Sequence, residues 1–277
     1  MRSTIAGMAI ITISRGTFSG GQTLAECLSK KLGYRIVSRE ILAQAARDHG
    51  VEEEELENAL HGKPGILERM SSERIHYLAY IRAALLNEIK DDKVVYHGNA
   101  GHLLLKDVPY VLKIRVVAGI EYRIGSVMNQ KDLDREEAIE YIKKIDKERD
   151  AWTKFLYHVD WRDPALYDIT INLDRMKVDS ACHLLCDAAT HDEFRAPQEW
   201  GKILEDLIQG AQVRAAIAMD KETGKLDREL EVEANSGVIK IKGEVPSWKD
   251  AERIEEFVRK IPGVNDVLLE GLLLTRY

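Results

Sequence analysis

Long uniform runs are what this sequence lacks. No apolar stretch reaches the ~18 residues that a membrane-crossing helix needs. The opening segment, Met1 to Ile13, is mildly apolar, but it is too short for a span and has no signal-peptide layout. A cytoplasmic protein is the expectation. There is no block of Lys and Arg either. The net charge is −7, and residues 203–277 hold 11 Lys+Arg against 15 Asp+Glu, so neither half is a polybasic arm. A chain that wraps nucleic acid usually carries a basic face, so generic nucleic-acid binding is not expected. Cysteine is sparse: Cys27, Cys182 and Cys186. An odd, small set argues against a disulfide framework. Cys182 and Cys186, one helical turn apart, read as small buried residues on one face rather than as a metal or redox pair.

What is present suits two domains. The chain has 277 residues, 45% apolar and 31% charged, enough for real cores under a well-solvated surface. Ala9 to Ile13 is a short β-branched run. It leads through Ser14-Arg15-Gly16 and Ser19-Gly20-Gly21 into Leu24, Ala25, Leu28 and Leu32, apolar at helical spacing, with Gly33 as a stop. Strand, glycine-rich loop and helix follow in that order. Further strands are expected at 35–37, 93–96, 111–117 and 168–172. Helices are expected after Ser38, over 51–60 and 66–90, from Glu121, from Arg135 towards Trp152, and over 178–189. This alternation implies a parallel sheet covered on both faces, an α/β three-layer αβα fold.

The polar segment 191–202, with Pro197, is the expected linker between a domain at 1–190 and one at 203–277. Beyond it the expectation is a helix over 203–219, strands at 230–234 and 238–245 around Asn235-Ser236-Gly237, a helix opened by Pro246-Ser247, and a final strand over 264–269. Period-two alternation around a Gly-bearing turn is a hairpin signal. The order makes a small αββαβ domain.

The glycine-rich loop is the chemistry-bearing motif. Amide groups point out of a helix start and the helix dipole adds positive charge, which suits an anion. Gly16-Thr17-Phe18-Ser19-Gly20-Gly21-Gln22-Thr23 fits G-x-x-x-x-G-K-[ST] except that Gln22 stands where lysine should. Glutamine donates hydrogen bonds without charge, so Arg15 or a later arginine must supply the charge. Thr23 can meet Mg²⁺ through its hydroxyl when a nucleotide is bound.

Residues 10–189 resemble the cytidylate kinase-like proteins, a branch of the P-loop nucleoside monophosphate kinases. The matching pieces are Ile13-Ser14-Arg15 with Ser19-Gly20-Gly21, Leu32-Gly33-Tyr34, Ser38-Arg39-Glu40-Ile41-Leu42, His97-Gly98-Asn99-Ala100-Gly101, Asp134-Arg135-Glu136-Glu137-Ala138, Lys144-Ile145-Asp146-Lys147-Glu148-Arg149, Asp160-Trp161-Arg162-Asp163-Pro164 and Leu166-Tyr167-Asp168. The resemblance implies ATP and Mg²⁺, a five-stranded parallel sheet, a nucleoside-monophosphate pocket and a lid carrying arginines. By it, Gly16, Ser19, Gly20, Gly21, Gln22 and Thr23 would hold donor phosphates. Arg149, Arg15 and Arg123 would act in catalysis. Arg39, His97, Asn99, Arg135 and Lys147 would meet the acceptor. Related proteins carry Asp-Gly-Arg where this chain has His97-Gly98-Asn99, so an acid and a base are both absent there.

Residues 203–275 resemble a BON domain by the αββαβ order and by Gly237-Val238-Ile239 and Pro262-Gly263-Val264, which implies a protein or lipid partner through this domain. Three functions compete. One is ATP-dependent phosphoryl transfer to CMP or a similar small acceptor. Another is a non-catalytic nucleotide or phosphate sensor whose BON-like domain contacts a partner. The third is a structural or scaffold protein whose C-terminal domain does the work.

Overall fold

The computed structural model describes residues 9–38, 40–54, 56, 71–90, 93–226 and 230–275. By contacts it falls into two compact units. The first, the loop unit, comprises residues 1–40, 61–64 and 91–198. The second, the C-terminal unit, comprises 41–60, 65–90 and 199–277, so it also takes in chain that comes early in the sequence.

Among the described residues, the loop unit contains a five-stranded parallel sheet in the order β2-β3-β1-β4-β5. The strands are β1 (Ile10–Arg15), β2 (Arg35–Val37), β3 (Val94–His97), β4 (Val111–Val117) and β5 (Ile169–Asn172). Helix α1 (Gly21–Leu32) follows β1, and α2 (Glu40–His49) and α3 (Ser71–Glu88) lie between β2 and β3 in the chain. A single short turn of helix, α4 (Gly101–Leu104), stands where the sequence suggested only a turn. Then come α5 (Ile120–Lys131), α6 (Arg135–Tyr157) and α7 (Val178–Ala188). Asp134 starts α6 with a capping box, its carboxylate accepting from the Glu137 amide while Glu137 returns the bond.

Alternate residues of the strands build the core under α1 and α7. Ile11, Ile13, Val95, Ile114, Val116 and Ile171 meet Leu24, Leu28 and Leu185 there. The period of two carries this face on to Arg15 and His97, each two residues beyond a core position. β1 is central, with β3 on one side and β4 on the other. The chain order reverses there, and ligands of parallel sheets collect at the carboxyl ends of strands at such a point.

The same packing corrects one expectation. The sparse cysteines argued against a disulfide, yet Cys27 of α1 is joined to Cys182 of α7 across 155 residues, with the Cα atoms 6.2 Å apart. The two helices lie side by side on the sheet, and sequence spacing cannot reveal that adjacency. Cys186, one turn further along α7, is free.

In the C-terminal unit, α3 packs on α8 (Trp200–Met219). Helices α8 and α9 (Trp248–Val258) contribute to a core with β6 (Glu231–Asn235), β7 (Val238–Val245) and β8 (Asp266–Leu274). β6 and β7 form an antiparallel hairpin, and β8 runs parallel to β7. The core is aliphatic: Val213, Ile217, Ile239, Ile241, Ile254 and Val267. Ser247 caps α9 by accepting from the Asp250 amide. β8 continues well past the expected end at Leu269, because a register shift between Lys240 and Lys242 lets the strand pass Gly271 and stay paired. Among the described residues no helix is long and apolar enough to cross a membrane.

Candidate functional site

The loop after β1 is a tight, internally tied turn. The Gly16 amide still donates to Val116 of β4, the Ser19 amide donates to the Gly16 carbonyl at 3.2 Å, and the Ser19 hydroxyl donates to the same oxygen at 2.6 Å. Gly20 carries φ of 85°, a left-handed conformation that favours glycine, and lets the chain enter α1. A Cβ on Gly21 would come within 2.6 Å of the Arg15 side chain, which lies against the helix start. Helix α1 has no side-chain cap at its amino end and no acidic residue in its first turn. That leaves a positive helix end facing the loop. Phe18 anchors the loop from the other side, packing against the small core of Ile124, Val127, Ala138 and Ile142 that joins α5 to α6.

Three arginines converge on this turn. Arg123 of α5 donates from Nε to the Thr17 carbonyl at 2.7 Å and from Nη2 to Asp146 at 2.6 Å. Arg149 of α6 donates to the Arg15 carbonyl at 2.6 Å and stands 3.8 Å from Asp146. Asp146 in turn accepts from the Thr17 hydroxyl at 2.8 Å and from the Thr17 amide at 3.4 Å. Burial pushes the Arg15 guanidinium down to about 10, and the like charge of Arg149 pushes the same way. Arg149 is likewise lowered by burial, a fall that Asp146 offsets in part. Arg123 and Arg149 therefore share one carboxylate while Arg15 lies against Arg149 with no carboxylate of the described residues acting on it, and buried cations of one sign are costly unless an anion joins them.

Arg149 is held in place from behind. The Trp161 ring meets two guanidiniums, with Arg149 at 5.1 Å and Arg115 at 5.3 Å from its centroid. Its indole N–H donates to Asp150. The Tyr167 hydroxyl donates to the Trp161 carbonyl at 2.7 Å and approaches Ser14 and His102. The Asp160–Asp168 segment thus builds the wall that orients the arginine.

Residues 10–175 match the model of the cytidylate kinase-like family. The chain belongs to the cytidylate kinase-like family. A protein of Methanothrix thermoacetophila named cytidylate kinase is 30% identical over 168 residues, covering 60% of this chain and 89% of that one. One of Methanopyrus kandleri with the same name is 27% identical over 177 residues, covering 64% and 90%. Residues 206–270 match the BON domain. Among solved structures, an uncharacterized protein from Eubacterium ventriosum is similar with a TM-score of 0.49 and 21% identity, covering 65% of this chain and 98% of that one. The shikimate kinase from Acinetobacter baumannii, in complex with shikimate, gives 0.36 and 14%, covering 65% and 92%.

Within this cytidylate kinase-like unit the remaining site residues separate into two groups. His97 lies near the loop. It ends β3 beside Ile13, is buried, and its Nε2 has no hydrogen-bond partner. Burial and then the charge of Arg15 push its imidazole down to about 3, so it is neutral at physiological pH. Asn99 follows in the turn, its carbonyl accepting from the Tyr96 hydroxyl at 3.2 Å. Arg39 lies outside the described residues. Gln22 is exposed and its amide donates to Glu26 at 3.1 Å, along α1 and not into the loop. Thr23 is exposed on the first turn of α1.

Arg135 and Lys147 are not brought to the loop. Arg135 is exposed in the first turn of α6 and forms a two-pronged ion pair with Glu121, at 2.8 and 2.9 Å. It is about 16 Å along the helix from Asp146. Lys147 is exposed, and as the next residue after Asp146 it is turned about 100° around the helix. Among the described residues no group of three or more His, Cys, Asp and Glu could hold a metal ion. Asp146, not itself among the site residues expected from sequence, is the hub of these contacts. Its spacing of one helical turn before Arg149 was the available signal.

Proposed function

We propose that this chain transfers the γ-phosphoryl group of ATP to the phosphate of a nucleoside monophosphate of the CMP type. The supporting observation is the convergence of Arg15, Arg123 and Arg149 on the glycine loop at the positive end of α1. The names of the two archaeal relatives support the choice of acceptor. In the reaction an acceptor phosphate oxygen bonds to the γ-phosphorus as the bond to the β,γ-bridging oxygen breaks. Positioning and charge neutralisation carry such transfers. Arg123 and Arg149, with Arg15 beneath them, supply the charge that a loop lysine usually provides and Gln22 does not. Arg149, fixed on Trp161, meets the transferring group, and neutral His97 with Asn99 meets the acceptor. Mg²⁺ would travel with the nucleotide and neutralise phosphate charge, with the exposed Thr23 hydroxyl as the protein group that meets it. We place the protein in the cytoplasm, where its substrates are, and assign the BON domain a protein or lipid partner.

A specific observation favours a second reading, a nucleotide sensor without turnover: Gln22 is engaged with Glu26 and leaves the loop without a residue in the lysine's role. Calorimetry with MgATP, and product formation with CMP, UMP, AMP and GMP, separate the two. The enzyme reading expects diphosphate formation with a pyrimidine preference, and expects Arg149→Met to lower kcat by about 10³-fold, the scale of a transition-state arginine, with the urea midpoint little changed. Tight binding without product establishes the sensor. Absence of binding overturns both.

A further inference from the structure

We infer that Asp146 is the loop's internal counter-anion, displaced from Thr17 and Arg123 by an incoming nucleotide phosphate group. This rests on the reading that the loop receives phosphate. The Asp146 carboxylate makes the contacts that a phosphate oxygen seeks. One oxygen accepts from both the Thr17 hydroxyl and the Thr17 amide, and the other accepts from Arg123. Arg149 stands 3.8 Å from it. No other carboxylate among the described residues is ion-paired with Arg123 or Arg149. The carboxylate brings one negative charge to Arg123 and Arg149, and none to the neighbouring Arg15. A nucleotide phosphate group brings more charge and more acceptor oxygens, so exchange is favoured once it arrives.

The exchange has a mechanical consequence. Asp146 and Arg149 sit one turn apart on α6, and both reach the loop from there. Releasing the Asp146 bonds to Thr17 removes one of the two ties between this turn of α6 and the loop. Phosphate binding is thereby coupled to freedom of α6, and part of the binding energy is used in breaking the Asp146 contacts. The carboxylate sets the affinity of the loop from within.

Asp146→Asn keeps the shape and removes the charge. Asp146→Ala removes the carboxylate altogether and frees the Thr17 hydroxyl and amide that it holds at 2.8 and 3.4 Å. Calorimetric titration of the full chain and both variants with MgATP tests the idea. Both variants are expected to bind more tightly than the parent, Asp146→Asn by roughly 5- to 50-fold, the range that loss of one competing charge-assisted contact supports. Circular dichroism and urea midpoints check folding, and if Asp146→Asn does not fold, Asp146→Ala decides by the same sign. Unchanged or weaker binding in a folded variant, with the parent binding normally, overturns the inference and makes Asp146 a positioning residue for Arg123. Failure of the parent itself to bind MgATP counts against the proposed function instead.

Discussion

Around the glycine loop, Arg15, Arg149, His97 and His102 are withdrawn from solvent, whereas the buried residues of the core shared by α8, α9 and strands β6 to β8 are aliphatic. Burying an aliphatic side chain is favourable by itself, by about 1.5–3 kcal/mol for a Val, Leu or Ile. Burying a guanidinium or an imidazole is not, unless something pairs with it. The C-terminal unit also withdraws Arg214 of α8, lowered to about 10 mainly by burial, but outside that aliphatic cluster. The contrast is between the cation-rich surroundings of the glycine loop and the aliphatic cluster under α9.

The largest effect that sharpens this contrast is a cavity. Ile254 is wholly buried on α9, between the helix and the sheet. Ile254→Ala should destabilise the C-terminal unit by about 2–5 kcal/mol, the cost of lost transfer energy plus the space left behind. Urea unfolding followed by circular dichroism measures it. A change under 1 kcal/mol would mean that this core is loosely packed and that the contrast between the regions is false.

A somewhat smaller effect belongs to the loop unit. The Cys27–Cys182 link ties α1, whose amino end faces the phosphate loop, to α7 across a closed span of 155 residues. Cross-links of this kind typically add about 2–4 kcal/mol by restricting the unfolded chain. Cys27→Ser should lower the urea midpoint accordingly, and added reductant should do the same to the parent and nothing to the variant. Equal response of both to reductant would show that the link does not contribute to stability.

How much of this was legible in the sequence follows from distance along the chain. The β1–loop–α1 unit lies within residues 10–32, and the β6–β7 hairpin within 231–245, so spacing alone exposed both. The contacts that make the site are remote. Thr17 meets Asp146 across 129 residues, and Arg123 reaches Thr17 across 106. Resemblance placed Arg149 in catalysis and Arg135 and Lys147 at the acceptor. Helix geometry separates them: Asp146 and Arg149 share a face one turn apart, Lys147 is turned away from it, and Arg135 is too far along the axis. The end of β8 was hidden for another reason. Glu270-Gly271 reads as a stop, and only the register shift in its pairing with β7 shows that the strand continues.

The most gradual effect is a slope. His97 and His102 are both buried and both pushed down to about 3, mainly by burial, with Arg15 acting on the first and Lys113 on the second. In the unfolded chain each titrates near 6.5. Between about pH 6.5 and pH 3 the unfolded state therefore binds protons that the folded state refuses. Stability rises with pH across that window and falls as acid is added, and it is insensitive to these two groups above pH 7. Well inside the window each histidine contributes about 1.4 kcal/mol per pH unit. His76 of the C-terminal unit, lowered to about 4, adds a third contribution of the same sign down to that pH. Urea midpoints between pH 4.5 and 7.5 for the parent and for His97→Asn measure the slope. The variant should lose about one histidine's share and keep the plateau above pH 7. A slope unchanged by the substitution would mean that His97 titrates as an exposed residue does, and the loop unit would lose one of the withdrawn groups that set it apart.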